Sequence, residues 1–241
     1  MLTESLERLL GDLPDEARVV DIGGWAAPLN RADWVLDLMP YETRGQLPPG
    51  SFGPPPERFG ADTWVQRDIC DHEPYPFEDD YFDFAVCTYT LEDIRDPVWV
   101  CRETSRIAQA GLIEVPSLLD ELSWRVPQYS GGDWVGHDHH RWLCFTGENE
   151  IEFMHKPHSL HADRRARVPS RHAARLAHRQ RAQVLWWRGD LRASERIVIG
   201  AFPMDELEER VSADLGLSSA ERRLRSMSHS LPSLLRRALR R

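Results

Sequence analysis

Apolar positions along the first 120 residues follow two periods. Leu2, Leu6, Leu9, Leu10 and Leu13 recur at helical spacing and predict an opening helix, with Gly11 placed to close it. Short β-branched and aromatic runs follow and predict five strands: Val19 to Ile22, Asp33 to Leu38, Thr63 to Ile69, Tyr81 to Thr88 and Gly111 to Pro116. Between 40 and 62 the prolines and glycines, Pro40, Pro48, Pro49, Gly50, Gly53, Pro54, Pro55, Pro56 and Gly60, leave no room for a regular helix and predict a long loop. Asp96-Pro97 reads as an N-cap with proline at the first helical position. Strands alternating with connections over about 100 residues point to an α/β fold with a doubly wound, mostly parallel sheet.

Past Leu118 the pattern loosens into an elaborated C-terminal part. Gly131-Gly132-Asp133 precedes His137-Asp138-His139-His140-Arg141-Trp142, which enters the apolar Leu143-Cys144-Phe145. Residues 162–182 read as a solvated helix or an exposed connection, and Val184 to Arg188 with Arg196 to Ile199 as two last strands paired across Gly189-Asp190. The expected organisation is one α/β domain over 1–200, with a substrate-lid insertion at about 118–182, and a helical, basic tail over 201–241.

Composition narrows the class. A hydrophobic content of 41% with 29% charged residues is that of a soluble globular chain, and no apolar run approaches the roughly 20 residues of a membrane span. Glu4 and Glu7 stand where a signal peptide carries basic residues, so the expected location is cytoplasmic. Cys70, Cys87, Cys101 and Cys144 include no Cys-x-x-Cys pair and read as reduced, buried thiols. The net charge of −9 is divided unevenly: residues 1–120 hold 9 Arg against 24 Asp and Glu, the remainder 21 Lys and Arg against 15. The first part is therefore unsuited to nucleic acid.

Asp21, Asp37 and Asp68 each sit at or near a strand end, and in a parallel sheet all three emerge at one edge. Glycines after the first strand let backbone approach a ligand, an acid after the second can accept from ribose hydroxyls, and an acid after the third can accept from an adenine amino group. A nucleoside-containing cofactor is implied. Val19-Val20-Asp21-Ile22-Gly23-Gly24, the entry Pro76-Phe77-Glu78-Asp79-Asp80-Tyr81-Phe82-Asp83, then Leu91-Glu92-Asp93-Ile94-Arg95-Asp96-Pro97 and Ile113-Glu114-Val115-Pro116-Ser117 together resemble the type-11 family of class I S-adenosylmethionine-dependent methyltransferases over residues 18–117. That resemblance implies a Rossmann-like methyltransferase fold with S-adenosyl-L-methionine as cofactor; no metal is expected. It places Asp21, Gly23, Gly24 and Trp25 at the methionine part, Asp37 and Leu38 at the ribose, Asp68 and Ile69 at the adenine, and Tyr89, Thr90 and Leu91 under the sulfonium. The family's second and third glycines are Trp25 and Ala27 here, and its Leu-Glu-His is Leu91-Glu92-Asp93.

The acceptor side is expected in the histidine run. His139 or His140 can take a proton from the acceptor, His137 and His139 with Asp138 can share a metal if extended, or the run can merely dock a lid. His155, His158 and His161 read as solvated loop residues, since Pro157 interrupts any helix aligning them. The expected acceptor is a small molecule, a sugar or a lipid-linked intermediate, methylated at oxygen or nitrogen; the alternative is a non-catalytic binding module on the same fold. The Arg-rich stretch 220–241 is a mobile tail or a weak membrane-surface contact. A short-chain reductase would need Tyr-x-x-x-Lys, and Lys156, the sole lysine, follows Glu152.

Overall fold

The structure is a computed structural model of the 241-residue chain, describing residues 1–124, 135–161, 167, 168, 170–218, 220 and 221. The expectations for Gly131-Gly132-Asp133, for residues 162–166 and for most of the basic tail lie outside these residues. The chain divides into two units, one formed by 1–117, 140–155 and 182–197, the other by 118–139, 156–181 and 198–241.

The first unit is built on a six-stranded sheet. Its strands are β1 (Val19–Ile22), β2 (Trp34–Asp37), β3 (Trp64–Gln66), β4 (Phe84–Thr88), β5 (Ala110–Pro116) and β8 (Ala182–Arg188), in the order β3-β2-β1-β4-β5-β8. The first five pair in parallel, and β8 closes the edge antiparallel to β5, with Leu112 opposite Trp186. The order runs outward from β1 in both directions, which makes the β1/β4 boundary the reversal point of a doubly wound sheet. The predicted parallel α/β fold is thus the observed one.

Both faces of this sheet are covered, and the strands accordingly read as continuous apolar runs. On one face Val19, Val35, Val86 and Leu112 pack with Leu9, Phe59 and Trp64 around α1 (Thr3–Asp12). On the other, Val20, Ile22, Leu36, Ala85, Cys87 and Ile113 pack with Val100, Cys101 and Ile107 of α2 (Pro97–Ile107). The same core takes in Trp142, Cys144, Ile151 and Phe153 from a second sheet, in which β6 (Trp142–Gly147), β7 (Glu150–His155) and β9 (Arg192–Glu195) lie in that order. All four cysteines are buried and free. Helix α1 runs through Gly11 to Asp12 and is capped by Leu13 in extended conformation, so Gly11 does not close it. The two last predicted strands do not form a hairpin. β8 joins the central sheet, whereas β9 ends at Glu195 and pairs in parallel with β7.

No α-helix links β1 to β2 or β2 to β3; the second connection holds only one 3-10 turn, Tyr41–Thr43. The two connections satisfy each other instead: Asn30 N donates to Phe52 O at 2.8 Å, Phe52 N to Pro28 O at 2.9 Å, Gly45 N to Trp25 O at 2.8 Å and Arg58 N to Asn30 O at 2.9 Å. Irregular backbone beside a core needs such partners, and the prolines cut the number of donors to be matched.

The second unit contains α3 (Leu118–Glu121), α4 (Ser170–Ala173) and α5 (Met204–Asp214), the last with Met204, Leu207 and Val211 turned inward. Its interior holds Lys156, whose Nζ lies 2.6 Å from Glu121 Oε2 and 2.8 Å from the His137 carbonyl. Asp120 takes His137 Nε2 at 2.9 Å and Arg181 Nη1 at 2.6 Å. Among the described residues no helix is long and apolar enough to cross a membrane.

Candidate functional site at the sheet reversal

The site grows from the end of β1. Gly23 adopts φ of +76°, and a Cβ there would stand 2.4 Å from Thr90 Cγ2, so the turn after β1 presses on the loop after β4. Thr90 Oγ1 donates toward Gly23 O at 3.3 Å. A Cβ on Gly24 would lie 2.4 Å from Asp21 Oδ2, and that oxygen accepts Leu29 N–H at 2.8 Å. Asp21 thus folds back to hold the turn. Its complete burial pushes its carboxyl up to about 7, partly offset by the Leu29 N–H and reinforced by the nearby Asp37 charge.

Asp37 ends β2 beside this turn. Its Oδ2 accepts Trp25 N–H at 3.0 Å and its Oδ1 accepts Met39 N–H at 2.8 Å, which leaves lone pairs on both oxygens. Burial raises its pKa, against the backbone N–H groups of Met39, Trp25 and Leu38 that favour the anion. The Trp25 ring is half-buried against the α1-side core, and its Nε1 donates to Thr43 Oγ1 at 3.0 Å. Neighbouring Leu38 is 60% exposed, and Tyr89, across β1 on the end of β4, is 39% exposed. Tyr89 also holds a φ of +51°, a strained conformation for a residue with a side chain, fixed by its N–H on the Glu114 carbonyl at 2.9 Å. Leu91 is buried in the core.

Asp68 follows β3. Its Oδ1 accepts Cys70 N–H at 2.9 Å, and its Oδ2 lies 2.5 Å from Arg95 Nη1. Ile69 is buried, with its carbonyl on the Tyr75 hydroxyl at 3.0 Å. The candidate residues from Asp21 to Leu91 therefore all belong to the first unit and surround one edge of its sheet. This set fits an adenosyl group: close-approaching backbone at Gly23, a partly satisfied acid at Asp37, and apolar side chains left exposed on either side of β1.

The histidines are assigned to different units. His140 belongs to the first unit, where one ring nitrogen lies within 4.8 Å of an Asp93 carboxylate oxygen. His139 belongs to the second unit, half exposed, with Nδ1 at 3.4 Å from Asp138 Oδ1. His137 is buried there on Asp120. His155 ends β7 and meets the Trp142 ring edge-on, and His161 Nδ1 accepts Val135 N–H at 3.2 Å, so neither is merely a solvated loop residue. At the opposite edge of the sheet lies a cavity of about 620 Å³ beside Arg8, Phe84 and Trp186, which contains none of the predicted site residues. Sequence reading missed Arg95 and Asp93 as neighbours of the site; the Leu91 to Pro97 stretch that carries both was the available signal.

A doubly wound sheet with an antiparallel closing strand, and with acids and glycines gathered at its reversal, is the Rossmann-like methyltransferase fold. Residues 56–113, from the end of the proline-rich loop into β5, match the model of the methyltransferase domain family. The match begins after the Gly23-Gly24-Trp25 turn. Solved structures with similarity include the YcgJ protein of Bacillus subtilis (20% identity, 48% of this chain and 52% of that one, TM-score 0.33). Two S-adenosylmethionine-dependent methyltransferases are similar as well, from Mesorhizobium loti (16%, 62% and 62%, 0.32) and from Aquifex aeolicus (14%, 47% and 64%, 0.30). The chain thus spans about half to two thirds of the length of these proteins. A search of curated proteins finds no match.

Proposed function

We propose that the first unit binds S-adenosylmethionine at the β1/β4 reversal and transfers its methyl group to oxygen or nitrogen of a small-molecule, sugar or lipid-linked acceptor. The observation that carries this reading is the convergence of Gly23, Asp37, Leu38 and Tyr89 on one sheet edge. Bound there, the cofactor supplies a methyl group already activated by a sulfonium, so the protein's task is mostly positioning.

Asp37 accepts from the ribose hydroxyls with the lone pairs that Trp25 and Met39 leave open. Leu38 packs beside the ribose, Asp68 with Ile69 meets the adenine edge, and Tyr89 lies under the sulfonium. Asp21 keeps the Gly23-Gly24 turn close against the methionine end. His140, which lies in the same unit as the cofactor residues, removes the acceptor's proton, with an Asp93 carboxylate near its imidazole.

Calorimetric titration with S-adenosylhomocysteine tests the reading. The wild-type chain binds, and Asp37→Asn weakens binding by roughly tenfold or more, since a charged acceptor to two hydroxyls is lost. Absence of heat at high micromolar ligand overturns it. His140→Ala keeps cofactor affinity and loses turnover of any acceptor that responds.

A further inference from the structure

Resting on the cofactor reading above, we propose that Arg95 is a positioning residue for adenine recognition, acting by fixing the carboxylate of Asp68. Arg95 stands in the loop between β4 and α2. Its Nη1 reaches Asp68 Oδ2 at 2.5 Å while its Nη2 donates to Cys70 O at 2.6 Å. One guanidinium therefore grips both a side chain and a backbone carbonyl of the turn that follows β3. A planar fork satisfied at two points leaves the carboxylate little freedom to rotate.

The turn is tied at the other side as well. Asp68 Oδ1 takes Cys70 N–H, and Asp71 N donates to the Asp68 carbonyl at 3.2 Å. His72 Nε2 lies 2.7 Å from Asp96 Oδ2, and the His72 ring stacks on Trp99 with centroids 4.8 Å apart and planes 12° from parallel. Cys70 Sγ points to the Asp96 carbonyl at 3.8 Å. The turn after β3 is thus clasped to residues 95–99, the continuation of the loop that starts at Tyr89. Against the effect of burial, the Cys70 N–H and Arg95 hold the Asp68 carboxyl below the usual range, so it stays an acceptor.

An acceptor held in one direction discriminates between a base edge that donates and one that accepts. Adenine offers an amino group at its six position, whereas hypoxanthine offers a carbonyl. Releasing Asp68 lets the carboxylate turn away, so the loss falls on the adenine ligand and not on its hypoxanthine counterpart.

The test measures dissociation constants of S-adenosylhomocysteine and S-inosylhomocysteine for wild type, Arg95→Met, Arg95→Lys, Asp68→Asn and the Arg95→Met/Asp68→Asn double variant. Arg95→Met weakens the adenine ligand about tenfold and leaves the hypoxanthine ligand within about twofold, while Arg95→Lys, able to keep one of the two contacts, falls between. The double variant is no weaker than Asp68→Asn, because Arg95 acts through Asp68. Equal weakening of both ligands, an unmoved ratio, or additive losses in the double variant overturns the inference. If Arg95→Met does not fold, the ratio in Arg95→Lys decides. A wild-type chain that binds neither ligand overturns the cofactor reading and this inference with it; one that binds both, with a ratio insensitive to Arg95, overturns this inference alone.

Discussion

The residue with most to reveal is Asp21. Burial lifts its carboxyl to about 7, far above the 3.8 of an exposed group. Between pH 4 and 7 the unfolded chain releases this proton while the folded chain keeps it, so stability falls as pH rises through that window and is flat above it. The loss is on the order of a few kcal/mol. Asp37, shifted the same way by burial, adds to the same slope. Asp21→Asn retains an amide oxygen for Leu29 N–H and has nothing to titrate. Urea unfolding at pH 5 and pH 8 checks this: the variant is less stable than wild type at pH 5, the gap narrows or reverses at pH 8, and an unchanged pH slope contradicts the assignment.

At the scale of elements, α2 is the best defined by its own sequence. Asp96 Oδ1 accepts Trp99 N–H at 2.9 Å, and Pro97 takes the first helical position, as the Asp-Pro pair predicts. Asp96→Ala is expected to cost about 1 kcal/mol or somewhat more, since the His72 contact goes too, and Asp96→Asn clearly less. Chemical denaturation at fixed m-value reads the difference. The parallel core was equally legible, because strands buried on both faces are apolar at most positions, with buried acids such as Asp21 and Glu114 the exceptions. β8 shows the same rule at work: Leu185 and Trp187 enter one core and Val184 and Trp186 the other, so it belongs inside the main sheet. The turn signal at Gly189-Asp190 suggested a hairpin only because it lies where the chain leaves that sheet. β9 was not readable, since Arg192-Ala193-Ser194-Glu195 has no strand pattern and is extended only by pairing with β7. β7 has Ile151 and Phe153 buried and Glu150 exposed and pairs antiparallel with β6 just before it, yet its other partner, β9, lies too far along the chain to announce a second sheet. In the site, the acids and glycines were visible as strand-end residues. The Arg95 clasp was not, because it depends on two loops meeting in space.

For the whole molecule, charge is distributed by unit. The first unit carries 13 arginines against 28 Asp and Glu, a net charge of −15, while the second is net positive. A field of that sign over the cofactor edge favours cations. S-adenosylmethionine carries one net positive charge through its sulfonium, whereas S-adenosylhomocysteine is a neutral zwitterion of nearly the same shape. In the proposed binding mode the two ligands share the contacts with Asp37, Leu38 and Asp68, so the salt dependence of their affinity ratio reports mainly the charge at the sulfonium. Raising sodium chloride from about 0.02 M to about 0.5 M shortens the screening length from roughly 20 Å to about 4 Å. Binding of S-adenosylmethionine should weaken several-fold over that range, while binding of S-adenosylhomocysteine stays within about twofold. Parallel loss of both ligands would place the salt effect on the protein's own ion pairs, such as Asp68 with Arg95, and not on the field of the unit. A salt-independent ratio would mean that the acidic residues lie too far from the sulfonium, or are too well paired, to act on it.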